Sequence, residues 1–467
     1  MRSSECLNLL PADYLPLAHS VNCHPSTSQL KMNYYSLNHQ SPIVSFKEAT
    51  IQGQAPDKGL YFPQQLPVVS KALINGIENI SDVDIAFEVM KPYVAGSVND
   101  EELYHIVKET LNFPVPLQYV NTAIASLELF HGPTLAFKDV GARFMSRCLG
   151  HFLKNEDREV TVLVATSGDT GGAVANGFYE VDNVNVVILY PKGRVSPVQE
   201  KQLTTLGKNI TALEVEGSFD DCQRMVKEAF ADKEINEKKF LTSANSINVA
   251  RWLPQQVYYF LAYKQWKQKD TQPVVCVPSG NFGNICAGLL AKVTGLPLGH
   301  FIAACNVNDI VSHYLQTQEL KPKETTATLS NAMDVGNPSN FVRIIELFHK
   351  QFPELKNNLS AFTITDEETI NTIREVYKDH GYTLDPHGAV AYCALKRYLD
   401  TPPGGRGGGF ILETAHPVKF PDAVESATGQ NVNIPPALEE MMNREKASVV
   451  MQPGFENLKS FLLEGQK

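Results

Sequence analysis

Residues 160–179 read VTVLVATSGDTGGAVANGFY. The run 160–165 is short, apolar and β-branched, the pattern of a strand buried on both faces. Residues 166–172 form a glycine-rich turn, and the small, proline-free run 173–179 reads as a helix. Strand, glycine loop and helix in this order bring backbone N–H groups to a helix N-terminus, where they meet anions, and glycine lets the backbone approach closely. The same unit recurs at 274–293: the strand VVCV, the loop PSGNFGN (278–284) and a helix over 285–293. Neither loop has the dinucleotide-binding spacing or the lysine of a nucleoside-triphosphate loop.

Further strands are expected over 184–190, 210–215 and 301–305, and helices over 218–230, capped by Ser218, and 386–399. Alternation of this kind predicts an α/β fold with mainly parallel, helix-covered sheets and a ligand at the carboxyl ends of the strands. The stretch 32–116 has no glycine loop. Its candidate helices, 82–90 and 101–111, suggest a smaller, α-rich N-terminal domain.

Composition fits an intracellular enzyme with a large core. The chain has 467 residues, 43% hydrophobic and 20% charged, with a formal net charge of -10. The acidic balance argues against nucleic-acid binding, and no apolar run has the length of a membrane span. The eight cysteines (Cys6, Cys23, Cys148, Cys222, Cys276, Cys286, Cys305, Cys393) contain no CxxC pair, so buried free thiols in a reducing cytoplasm are expected rather than disulfides or a metal site. Residues 1–31 lack a basic stretch followed by an apolar core and are poor in arginine; they read as a disordered extension. The run TPPGGRGGG (401–409) reads as a flexible loop.

Two more stretches carry chemistry. In HGPTLAFKD (131–139), Lys138 lies in an apolar segment beside an acid. Low polarity disfavours the ammonium, and a free lysine amine can form a Schiff base with an aldehyde. In LETAHPVKF (412–420), the Thr414 hydroxyl at a strand end suits a bond to a buried ring nitrogen, or a simple turn.

HGPTLAFKD, ATSGDTGGA, NSINVAR, PSGNFGN and ETAHPVKF, in this order, closely resemble the threonine synthase family, as do MNYYSLNHQSPIVSFKEAT and APDKGLYFP near the start. The resemblance runs from about Tyr34 to the C-terminal region. It implies a fold type II pyridoxal-phosphate enzyme, with two three-layer α/β/α lobes around mainly parallel sheets. The implied division is an extension (1–31), an N-terminal domain (32–116), a two-lobed catalytic domain (117–420) and a C-terminal segment (421–467).

By that resemblance Lys138 carries pyridoxal 5′-phosphate and later moves protons, and Gly280, Asn281, Phe282, Gly283 and Asn284 hold its phosphate. Thr414 faces the ring nitrogen. Ser167, Gly168, Asp169 and Thr170 match the loop for the substrate carboxylate, near the cofactor's 3′-oxygen. Many fold relatives have Asn where Asp169 stands, and an acid there repels a carboxylate or phenolate unless protonated or turned away. Asn245, Ser246 and Arg251 match a cradle for the substrate phosphate, with Asn248 a further candidate. Lys192, Arg194 and Lys201 read better as solvated surface. The implied reaction takes O-phospho-L-homoserine and water to L-threonine and phosphate, in a cytoplasmic monomer or homodimer with no metal. The alternatives are a phospho-lyase that releases a keto acid, another dehydratase of this fold, a silent anion-binding protein and a nucleotide-binding protein.

Overall fold

The computed structural model describes residues 31–154, 156, 159–401 and 407–465. The extension expected over 1–31 lies outside the described residues except for Lys31, as does most of the 401–409 loop. Two sheets organise the chain. A five-stranded sheet, all parallel, runs Val449–Met451, Ile210–Val215, Val184–Pro191, Val160–Ala165, Phe240–Thr242. A six-stranded sheet runs Leu359–Thr363, Phe301–Cys305, Val274–Pro278, Gly409–Glu413, Ile124–Glu128, Leu117–Tyr119, and only its last pair is antiparallel.

Both sheets are buried on both faces, and the alternation of side chains shows it. In the six-stranded sheet Val275, Val277, Phe301, Ala303, Phe410 and Leu412 belong to the large central core. Their neighbours Cys276, Ile302, Ala304 and Ile411 point the other way, onto helix Pro386–Asp400. In the five-stranded sheet Val160, Val162 and Val164 join the central core, while Leu163 and Ala165 face Met225 and Leu458 of the helices Phe219–Ala231 and Phe455–Glu464. Each lobe is thus three layers deep.

The chain before 117 supplies helices Phe46–Gln52, Lys71–Gly76, Asp82–Val94 and Asp100–Thr110. It also supplies a three-stranded antiparallel sheet, Val44–Ser45, Asn33–Ser36, Tyr61–Pro63, which the sequence reading did not anticipate because its strands are so short. Tyr34, Phe46 and Met90 are buried in the same core as Phe144 and Trp252. The last helix and strand are integral too: Val449–Met451 is an edge of the five-stranded sheet.

Helices after the glycine loops begin earlier than the 173 and 285 expected from sequence, at Asp169 and Gly283. The glycines enter the helix because nothing larger fits. A Cβ on Gly171 would stand 2.4 Å from Leu203 and 2.5 Å from Thr166. The six described cysteines are free thiols, five of them buried. Among the described residues no helix is long and apolar enough to cross a membrane.

The C-terminal helix should carry real stability. Leu458 is fully buried between the lobe's helices and sheet. Leu458→Ala is expected to cost roughly 2–5 kcal/mol through lost burial and the cavity left behind, read as a lower denaturation midpoint of the folded protein.

Candidate active site

The motif segments converge because each leaves the carboxyl end of a strand. Ile124–Glu128, Gly409–Glu413 and Val274–Pro278 are neighbours in one sheet; they deliver Lys138, Thr414 and the 280–284 loop respectively. Val160–Ala165 and Phe240–Thr242 are neighbours in the other and deliver the 167–170 and 245–251 loops. Backbone bonds fix the first pair: Phe137 N–H donates to the Thr414 carbonyl (2.9 Å), and His416 N–H to the Leu135 carbonyl (3.1 Å). Tyr258 Oη donates to the Phe137 carbonyl.

Lys138 is the first residue of helix Lys138–Leu153, a position where the helix dipole opposes a positive charge. It is partly accessible, with its ammonium 5.5 Å from the Phe137 ring centroid. Burial pulls its amine from the ordinary 10.5 down to about 8; Asp169 pulls it up, and the Lys419 and Arg251 cations push it down. A fraction of free amine therefore exists near neutral pH, as the sequence suggested. The neighbouring Asp139 is locked: its oxygens accept the N–H (2.9 Å) and hydroxyl (2.5 Å) of Thr134.

Asp169 is ionised and engaged by two side chains. Its Oδ1 lies 2.7 Å from Lys419 Nζ and accepts Gln199 Nε2 at 2.9 Å, with both charged side chains out of water. Burial alone would raise its pKa, but Lys419, Lys138 and the hydrogen bonds hold it far below the usual carboxylate range. Lys419 is the penultimate residue of the quoted ETAHPVKF segment, yet nothing in the sequence places it opposite Asp169. The rest of that loop stays open: Ser167 and Thr170 are partly exposed. Thr166 Oγ1 accepts the N–H groups of Gly168 (3.0 Å) and Gly171 (2.9 Å). Gly168 has φ +141°, and a Cβ there would sit 2.5 Å from Gln199, so glycine is required twice over.

The second loop is equally constrained. Phe282 adopts a left-handed conformation (φ 61°) ahead of Gly283, and a Cβ on Gly280 would meet the Met333 backbone at 2.6 Å. Asn284 Oδ1 accepts Tyr259 Oη (2.6 Å), while its buried Nδ2 has no protein acceptor. Asn281 Nδ2 donates to Ser246 Oγ (2.7 Å), and Asn340 Nδ2 donates to the same oxygen (3.0 Å). Both acceptor sites of Ser246 are then taken, which leaves its O–H to donate outward. The two phosphate cradles expected from sequence are therefore joined through Ser246. Thr414 is 7% exposed, and among the described residues its hydroxyl bonds to no protein group.

Arg251 does not pair with a surface acid. It is 4% exposed, its Nη1 donates to the Ala244 carbonyl, and its Nε has no partner. Burial lowers its pKa to about 10, still a cation at neutral pH. Asn245 is partly exposed beside it, but Asn248 is consumed structurally: it caps helix Val249–Trp252 and donates to the Thr50 and Ser243 carbonyls (2.8 and 3.2 Å). A residue missed from sequence, Arg343, is wholly buried. It donates to the carbonyls of Tyr61, Ser246 and Ile247 and stacks 4.4 Å from the Trp252 ring. Lys192 pairs with Glu216 (2.6 Å) and Lys201 reaches the Arg444 carbonyl; both lie on the surface side, as expected.

These groups fit pyridoxal phosphate. A partly deprotonated amine suits the aldehyde, open N–H groups with an unsatisfied Asn284 amide suit a phosphate, and a free hydroxyl suits the ring nitrogen. The buried amine has a measurable cost. Below about pH 8 Lys138 is charged in folded and unfolded chain alike and the burial cost is felt in full; above 10.5 it is neutral in both and the cost is gone. Lys138→Met is therefore expected to stabilise the cofactor-free chain by roughly 1–3 kcal/mol at pH 7, an advantage that fades as pH rises through that window in denaturant titrations.

Comparison with known proteins agrees with the geometry. Residues 116–407 match the family model for pyridoxal-phosphate dependent enzymes, 33–111 that for the threonine synthase N terminus and 388–462 that for the threonine synthase C-terminal region. Threonine synthase of Escherichia coli (strain K12) is 45% identical over 436 residues, covering 93% of this chain and 100% of that protein. The crystal structure of pyridoxal-phosphate-bound threonine synthase from Brucella melitensis is 35% identical with a TM-score of 0.87, covering 93% of this chain and 100% of the other. The yeast threonine synthase structure is 34% identical with a TM-score of 0.84, covering 94% and 99%. The chain belongs to the threonine synthase family of pyridoxal-phosphate-dependent enzymes.

Proposed function

We propose that the chain converts O-phospho-L-homoserine and water to L-threonine and inorganic phosphate. The observation that carries this reading is Arg251, a desolvated guanidinium with no carboxylate partner among the described residues, close enough to Lys138 to depress its pKa. Such a group is costly unless an anion meets it. A phosphorylated substrate supplies that anion, whereas serine or threonine would leave it unpaired.

Pyridoxal phosphate, when bound, supplies an aldehyde for amines and a ring that takes up the electrons left by a broken C–H bond. Gly280, Asn281, Phe282, Gly283 and Asn284 hold its phosphate, and Thr414 presents its hydroxyl to the ring nitrogen. Lys138 would hold the cofactor through its Nζ, and the same Nζ, as a free amine, takes the proton from the substrate's α-carbon. Ser167, Gly168 and Thr170 orient the substrate carboxylate at the N-terminus of helix Asp169–Phe178. Arg251, with Asn245 and the outward O–H of Ser246, binds the phosphate that leaves Cγ. Loss of a proton from Cβ lets the phosphate leave Cγ with its bonding electrons. Cγ then takes up a proton, water adds its hydroxyl at Cβ and a proton returns to Cα, while early exclusion of water protects the reacting carbons. The described chain gives this site no membrane-spanning helix, and the reading places it in the cytoplasm as a monomer or homodimer.

Incubation with O-phospho-L-homoserine is expected to release phosphate and threonine in equal amounts; phosphate with a keto acid and ammonia would instead identify a phospho-lyase. Arg251→Ala is expected to raise KM for the phosphorylated substrate about 10- to 100-fold, the worth of a charge-assisted bond, with cofactor retained. Loss of cofactor at unchanged KM would reverse the assignment of the two phosphates.

A further inference from the structure

Lys419 is a second lysine at the same site, fully buried, that the proposed reaction does not use. Its position is set locally. His416 Nδ1 accepts the Val418 N–H (3.1 Å) and starts the tight turn Pro417–Lys419, which begins three residues after Thr414. Burial lowers the His416 pKa to about 4, so the ring is the neutral acceptor this cap needs. The turn points Lys419 across the cleft between the sheets, to Asp169 at the start of helix Asp169–Phe178.

The charges around Lys138 give that contact a consequence. Lys138 is influenced by Asp169, Lys419 and Arg251. Its neighbour Asp139 is held by Thr134. On the packed helix Asp100–Thr110, Glu109 is paired with Arg147 (3.1 Å) and Glu102 with His151 (3.4 Å). Among the described residues Asp169 is therefore the one carboxylate acting on Lys138, and it is the natural counter-ion for a lysine ammonium. An ionised acid facing that amine alone would hold it protonated and unreactive. Instead Oδ1 of Asp169 is committed to Lys419 and Gln199.

We infer that Lys419 is a positioning residue: it occupies the Asp169 carboxylate and so keeps the nitrogen of Lys138 from being fixed as an ion-paired cation. Gln199 shares the work as a neutral donor, but only Lys419 offsets the charge. The inference rests on the reading of Lys138 as the cofactor-bearing amine. It also explains how this chain tolerates an acid at position 169: the pair Asp169–Lys419 is neutral as a unit.

The test is a pH titration of the visible absorbance of the full-length holoenzyme, whose midpoint reads the proton on the Lys138 nitrogen. Lys419→Met is expected to raise the midpoint by at least about one unit, the effect of an opposite charge at close range. Lys419→Arg should keep it near the starting value. Asp169→Asn should lower it, and in the Asp169→Asn background Lys419→Met should move it much less than it does alone, because no carboxylate is left to release. A Lys419→Met holoenzyme with a lower melting temperature and an unmoved midpoint would mean a merely structural lysine and overturn the inference. If that single variant does not fold, Lys419→Gln, which keeps a donor near Asp169 without the charge, decides, and an unmoved midpoint there overturns the inference equally. Hydride trapping followed by peptide mass spectrometry separates the two levels. An adduct on Lys138 with unmoved midpoints defeats this inference alone, while no adduct on Lys138 defeats the reading beneath it.

Discussion

Desolvated positive charge is the constraint on which this site depends. Lys138, Lys419 and Arg251 all lie where water is scarce, and each would be destabilising on its own. The fold meets that cost differently for each. Lys419 receives an ionised partner. Lys138 loses part of its charge, since burial and the start of a helix both favour the free amine. Arg251 keeps its charge, with one bond to the Ala244 carbonyl and an Nε left open. One amine is thus made reactive, one is neutralised and one guanidinium is left as an attractor for anions.

Two parallel sheets make this concentration of charge possible. Parallel strands start and stop together, so loops distant in sequence emerge side by side at the carboxyl ends. Lys419 and Asp169 are 250 positions apart yet in direct contact. Close approach is secured by residues without side chains. Gly141 lets helix Lys138–Leu153 touch the Arg251 backbone, where a Cβ would stand 2.6 Å from its carbonyl oxygen. Gly388 lets helix Pro386–Asp400 lie against Glu413, at a point where a Cβ would be 1.6 Å from Oε2.

Much of this was legible in the sequence, and the limits have physical reasons. The strands over 160–165, 210–215 and 301–305 were readable end to end because buried parallel strands are continuous apolar runs. Helix starts were misplaced where glycine, a poor helix former, lies inside the first turn for packing reasons. The motifs named Lys138, Thr414 and Arg251, because their chemistry is local to each loop. Pairings across loops were invisible. Lys419 looks like an ordinary charged residue until the turn after Thr414 aims it at Asp169. Asn248 looked like a ligand because an amide that caps a helix and an amide that binds phosphate have the same formula. Arg343 carried no signal at all, since its partners are backbone carbonyls and the side chain of Asn340 three residues before it.

The distribution of unused hydrogen-bonding capacity narrows the chemistry further. Several open groups are donors: the Ser246 hydroxyl proton, Asn284 Nδ2 and Arg251 Nε. The nearby acids are withheld. Asp139 is held by Thr134. Glu128 is held by His131 (2.7 Å) and Tyr382 (2.9 Å). Burial and the Asp385 charge push the Glu413 carboxyl well above its usual range. A site with spare donors and its carboxylates engaged elsewhere prefers ligands rich in anionic oxygen. It also rejects analogues that lack such oxygen, because a buried donor without a partner costs about 1–3 kcal/mol each. On the proposed assignment, an unphosphorylated amino acid would strand Arg251 together with the Ser246 proton. Selectivity for a phosphate ester over a free hydroxy amino acid therefore follows from what the protein leaves unsatisfied, as much as from the contacts it makes.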